Sequence, residues 1–123
     1  MARKVLVIED DPDVQAILRA VLERAGFQVA AALDAMQGPM LARKESPDLI
    51  ILDIMMPAGG GASVYRRLKQ NTITMTIPVI IHSSTMPEAI RDSLPEIDEI
   101  PMIQKPADLT QFLSMVSEFA PLS

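Results

Sequence analysis

Polar residues stand at or just past the ends of several short apolar runs in this chain. Glu9 and Asp10 follow Val5–Ile8, and Asp53 follows Leu49–Leu52. Ser83 and Ser84 come just after Val79–Ile81, and Lys105 follows Met102–Gln104. If those runs end at one place, three carboxylates meet one lysine. Carboxylates brought that close raise one another's pKa unless positive charge neutralises them. Lys105 supplies one such charge, and a divalent cation is the natural remainder. An all-oxygen site that keeps several waters suits Mg²⁺. An ionised aspartate beside a cation is a competent nucleophile toward phosphorus. Phosphoryl transfer then asks mainly for positioning and for charge stabilisation on the equatorial oxygens. The Lys105 ammonium, the Ser83 hydroxyl and backbone N–H groups after Asp53 are suited to that task.

The chain between these residues supplies the elements that would position them. Val5–Ile8 is short, apolar and β-branched, as expected of a buried strand. Asp11-Pro12 then opens a helix, with Asp capping free N–H groups and Pro at the first helical position. Val14, Ile17, Leu18, Val21 and Leu22 mark one face of it, and Gly26 ends it. Phe27–Ala31 reads as a second, weaker strand. The next helix should follow Asp34, but Gly38-Pro39 predicts a kink or a late start. Leu49–Leu52 is a third strand. A loop over Met55–Gly61, freed by Gly59-Gly60-Gly61, leads to a helix over Ala62–Gln70. Val79–Ile81 is the fourth strand, followed by a short helix over Pro87–Leu94. Met102–Gln104 is the fifth strand. Asp108 caps a last helix, with Gln111 placed for a capping box and a stripe of Leu109, Phe112, Leu113, Val116 and Phe119.

Strands alternating with helices imply an α/β fold with one parallel sheet and right-handed crossovers. Ligand sites in such sheets lie beyond the carboxyl ends of the strands. The polar residues above would therefore share one edge.

Composition narrows the function. The 123 residues suit one domain, taken as 1–123. A formal net charge of -5 argues against direct nucleic-acid binding and against a membrane-surface role. Arg66, Arg67 and Lys69 read as a solvated helix face. No apolar run is long enough for membrane insertion. The lack of cysteine removes disulfides and thiolate sites and fits a reducing compartment, so a cytoplasmic location is expected. Nine methionines scattered along the chain read as flexible core filler. His82 falls inside a strand, where alternation turns it away from the face of Ser83; its expected role is structural.

Over nearly its whole length the chain resembles the receiver domain of bacterial response regulators, with a CheY-like, flavodoxin-like (βα)5 fold and sheet order 2-1-3-4-5. Val-Leu-Val-Ile-Glu-Asp-Asp matches the family's first strand with its acidic pair. Pro47-Asp-Leu-Ile-Ile-Leu-Asp-Ile-Met-Met-Pro57 matches the strand bearing the phosphorylation site. The resemblance implies that Asp53 is the phosphoacceptor. It implies Mg²⁺ held by Asp10, by Glu9 through water, by Asp53 and by the backbone carbonyl of Met55. Pro78-Val-Ile-Ile-His-Ser gives Ser83 the switch-hydroxyl role, and Gln104-Lys-Pro106 gives Lys105 its place, with a cis Lys105-Pro106 bond. Gly61 falls at the family's loop glycine. The implied partner is a sensor histidine kinase or a histidine phosphotransfer protein. Such a protein is not an enzyme in the ordinary sense, since it promotes only its own phosphotransfer and autodephosphorylation.

The chain departs from the family pattern in places. Met102 stands where the family often has an aromatic residue, and Ser93–Pro101 is unlike the usual fourth helix and exit turn. Those departures leave the output partner open. Among rivals, a flavodoxin-like redox protein would place phosphate where Glu9-Asp10-Asp11 repels it. An Asp-nucleophile phosphatase would need a second acid two residues after Asp53, where Met55 stands. A receiver fold kept only for docking is the third.

Overall fold

The computed structural model describes residues 3–56 and 60–121. Its strands are β1 (Lys4–Ile8), β2 (Gln28–Ala32), β3 (Leu49–Leu52), β4 (Val79–Ser83) and β5 (Met102–Gln104). The helices are α1 (Pro12–Arg24), α2 (Gln37–Glu45), α3 (Gly60–Gln70), α4 (Pro87–Ile90) and α5 (Leu109–Phe119), with a 3₁₀ turn at Pro95–Glu99. All strand pairings are parallel, in the order β2-β1-β3-β4-β5. The order reverses at β1, so the crevice beyond β1 and β3 is the switch point of the sheet.

The central strands are apolar on both faces because both faces are covered. Leu6, Ile8, Ile50, Leu52 and Ile81 pack toward one side with Ala42, Val64, Leu68 and Ile90. Val5, Val7, Leu49, Ile51 and Ile80 pack toward the other with Leu18, Leu22, Phe112 and Val116. Each of these Val, Leu, Ile and Phe side chains stabilises the fold by ~1.5–3 kcal/mol.

Helix starts follow the capping residues. The Asp11 carboxylate accepts from the N–H groups of Asp13 and Val14, and Asp108 does the same for Thr110 and Gln111. Among the described contacts Gln111 does not reach back, so only half of the capping box forms. Helix α2 starts late, as Pro39 predicts. Asp34 accepts from the N–H of Gln37, and Pro39 falls in the first turn, where its missing N–H costs no helical bond.

Several expectations need correcting. β2 runs one residue later than Phe27–Ala31, because the Phe27 N–H closes α1 on Leu22. β4 extends two residues beyond Ile81, and α3 begins at Gly60 rather than Ala62. Helix α4 ends at Ile90, short of Leu94. Met86 offers its start no side-chain cap, and Pro95 holds Leu94 outside the helical region. Ile17 and Leu109 are exposed; in α1 the inward positions are Gln15, Leu18 and Leu22. The methionines are mostly not core filler. Met36, Met40, Met55, Met75 and Met86 are exposed, Met102 and Met115 are half-buried, and only Met56 is buried, while Met1 lies outside the described residues. No helix among the described residues is long and apolar enough to cross a membrane.

Candidate phosphoacceptor site

The hydrogen-bond ladder continues past the strand ends and fixes the backbone of the polar residues. The Glu9 N–H donates to Ala32, Asp53 to Ile8 and Lys105 to Ser83, at 3.0, 2.9 and 2.9 Å. Glu9, Asp53 and Ser83 are buried at this edge, and Asp10 lies toward solvent. One carboxylate oxygen from each of Glu9, Asp10 and Asp53 lies within 4.8 Å of the other two. Lys105 Nζ stands 2.6 Å from Glu9 Oε1 and 3.5 Å from Asp53 Oδ2.

Two of the carboxylates are also held by backbone. Glu9 Oε2 accepts from the Asp11 N–H at 3.1 Å, and Asp53 Oδ1 accepts from the Met55 N–H at 3.1 Å. Ser83 Oγ accepts from the Thr85 N–H at 3.0 Å, which leaves its own proton free to donate. The Lys105-Pro106 bond is cis, as expected.

Electrostatics follow from this crowding. Burial pushes the Glu9 carboxyl up to about 7; Lys105 and the Asp11 N–H pull it down, and Asp53 adds to the rise. For Lys105, burial acts downward, but the Glu9 hydrogen bond and the Asp53 charge outweigh it, and the net is a rise. Without a cation, then, the edge holds more negative charge than one lysine neutralises. The donor set is wholly oxygen and partly open to water, which fits Mg²⁺.

One residue escaped the sequence reading and another was misplaced by it. Gln15 is buried, and its Nε2 lies 2.8, 3.3 and 2.9 Å from the carbonyls of Val7, Glu9 and Ala32. It ties the ends of β1 and β2 beside the acidic pair. Its signal was a polar residue at the inward i, i+3, i+7 spacing of Leu18 and Leu22. Gly61 was assigned to a free loop, along with Gly59 and Gly60. Instead its N–H donates to Ile54 at 2.9 Å, and a Cβ there would fall 2.5 Å from the Ile54 Cα and closer still to the Asp53 carbonyl. Gly60 has φ 60°, in the left-handed region. Pro57, Ala58 and Gly59 lie outside the described residues. His82 is 3 % exposed, and neither ring nitrogen has a partner among the described residues. It contacts the α5 side, its ring centroid 6.3 Å from that of Phe112, and so faces away from Ser83.

This fold and edge define a signalling receiver, and comparison with known proteins agrees. The model of the response regulator receiver domain matches residues 5–117, and the chain belongs to that family. It is 35% identical over 115 residues to the DNA-binding dual master transcriptional regulator RpaA of Synechocystis, covering 92% of this chain and 47% of that protein. It is 42% identical over 81 residues to Protein PilH of Pseudomonas aeruginosa, covering 66% of each. The chain thus spans about half of the first relative and about two thirds of the second. The receiver domain of a signal transduction histidine kinase from Syntrophus aciditrophicus superposes with TM-score 0.86 and 28% identity, over 96% of this chain and 89% of that one. The receiver domain of the sensor histidine kinase PA1611 from P. aeruginosa, with magnesium in its active-site cleft, gives TM-score 0.88 at 20% identity, over 97% and 98% of the two chains.

Proposed function

We propose that residues 1–123 act as one phosphoacceptor switch of a two-component system. The observation that carries this reading is the buried Asp53 carboxylate, clustered with Glu9 and Asp10 and 3.5 Å from the Lys105 ammonium. An Asp53 carboxylate oxygen attacks phosphorus, the bond to the donor's leaving group breaks, and an aspartyl phosphate forms. The donor is a sensor histidine kinase or a histidine phosphotransfer protein. Asp10, Asp53 and the Met55 carbonyl would hold Mg²⁺, with Glu9 acting through water. The cation would neutralise the carboxylates and the incoming phosphoryl oxygens. Lys105 keeps the edge ready by neutralising part of its charge, and Ser83 donates its free proton to the new dianion. The chain then turns over no external substrate; it promotes its own phosphotransfer and autodephosphorylation, in the cytoplasm. The DNA-binding relative suggests that output passes to a partner or a further domain.

Incubation with acetyl phosphate and Mg²⁺ should add one phosphoryl mass to the intact protein. Asp53→Asn should abolish it. Undiminished labelling of the variant removes Asp53 as acceptor. No labelling of a folded wild type favours the docking-module reading.

A further inference from the structure

Helix α2 is built unlike an ordinary surface helix. Its inward positions are small: Gly38, Pro39 and Ala42 are buried, and a Cβ on Gly38 would meet the Ile8 Cδ1 at 3.0 Å. The helix is thereby drawn close to the sheet. The N-cap Met36 and, four and seven residues on, Met40 and Arg43 of the helix face outward, where polar residues are the norm. Met36 is 80% exposed and Met40 51%. Between α2 and α3 runs a groove of about 350 Å³ lined by these three side chains, Arg67, Gln70 and Asn71.

Both arginines are exposed, and neither makes an ion pair or side-chain hydrogen bond among the described residues. Free, adjacent cations are notable on a chain of net charge -5. Met36 and Arg67 also line an adjoining groove of about 440 Å³ that reaches Asp34 and Asp10. Within the α2–α3 groove the Met36 and Met40 side chains stand with the two arginines, and Met36 and Arg67 mark its join to the groove that holds Asp34 and Asp10. Methionine side chains are flexible and polarisable, and surfaces made of them repack around varied apolar anchors.

We infer that the α2–α3 groove is a docking surface for an amphipathic helix of a partner protein. That helix would lay apolar side chains on Met36 and Met40 and set acidic residues against Arg43 and Arg67. Charge complementarity selects this occupant: the charged side chains that line the groove are Arg43 and Arg67, which repel a basic helix and attract an acidic one.

The test uses the whole protein labelled with ¹³C at the methionine methyls. The probe is a synthetic helical peptide with leucines at i, i+4 and i+7 and glutamates clustered at one end. Peptide addition should shift the Met36 and Met40 methyl signals and leave Met86 and Met102 in place. Arg43→Glu with Arg67→Glu should weaken binding about tenfold or more at low salt. Met36→Ser with Met40→Ser should weaken it further; both positions are exposed, so thermal unfolding should stay unchanged. A peptide with lysines for glutamates should bind the wild type at least about tenfold more weakly. No Met36 shift at millimolar peptide, equal binding of both peptides, or shifts spread over all methionines would overturn the proposal. So would a concentration-dependent dimer in sedimentation that Met36→Ser abolishes, since that assigns the groove to a second copy.

Discussion

Glu9, just past β1, and His82, in β4 on the other side of β3, are both buried titratable groups near the carboxyl edge of the sheet, yet they are treated in opposite ways. Glu9 has partners on both oxygens and still is pushed up to about 7, chiefly by burial. His82 has no partner on either nitrogen among the described residues and is pushed down to about 4, again chiefly by burial, with Lys105 adding to the fall. Burial disfavours the charged form in each case. The signs of their pH dependence are therefore opposite. The folded state binds the Glu9 proton more tightly than the unfolded chain, so that contribution to stability is present below about 4.5 and is lost as pH rises through about 7. The folded state binds the His82 proton less tightly. That contribution is present above about 6.5 and is lost as pH falls toward about 4. Between those limits the two slopes oppose each other in the cation-free protein. The lesson is that a satisfied polar group and an orphaned one cost alike in charge, but only the first is placed to be rescued by a cation.

The largest expected effect comes from breaking the first region. Lys105→Met leaves Glu9 and Asp53 buried without their cation and should cost about 3 kcal/mol at pH 8 without Mg²⁺, measured by urea unfolding. The loss should shrink at pH 5, where Glu9 takes a proton. A loss independent of pH would mean that Lys105 acts through packing alone.

His82→Leu should remove the acid-side loss, worth about 3 kcal/mol between pH 6.5 and pH 4. Stability of this variant should instead fall steadily as pH rises from 5 to 7. An unchanged acid limb assigns the loss to carboxylates elsewhere.

A smaller change sharpens the comparison without touching charge. Gly61→Ala pushes a methyl group against the Asp53 backbone and should destabilise by about 2 kcal/mol. It should also lower the rate of labelling by acetyl phosphate while leaving the His82-dependent acid limb in place. Equal labelling rates would show that the acceptor tolerates the shift.

The smallest effect is expected at Met102, half-buried opposite Ile81 and packed with the core on the α3–α4 side. Methionine should follow the Ser83 hydroxyl at little steric cost and give a graded response. Met102→Ala should leave phosphorylation intact but reduce the spread of amide shifts from Ser83 toward Pro87–Ile90. If shifts in the wild type stay within a few residues of Asp53, that route does not operate.

Much of this protein was legible before any coordinates. Short apolar runs, capping aspartates and Pro39 specified alternating strands and helices, because strand burial, free N–H groups and a missing donor are local properties of the chain. The spacing of Glu9, Asp53, Ser83 and Lys105 at run ends placed them at one edge, because parallel strands all end together. What a side chain meets was not local. Gln15 and Ile17 swapped the roles that periodicity gave them, since the inward direction of α1 is set by the strands beneath it. Exposed methionines on α2 passed for core, because hydropathy does not record which face a helix turns away. Gly61 looked free until the Asp53 carbonyl came against it. The residue types and their order were the sequence's own contribution. Which polar groups are paired, which are stranded and which apolar groups face water depends on distances between segments far apart in the chain, and only the tertiary structure decided those.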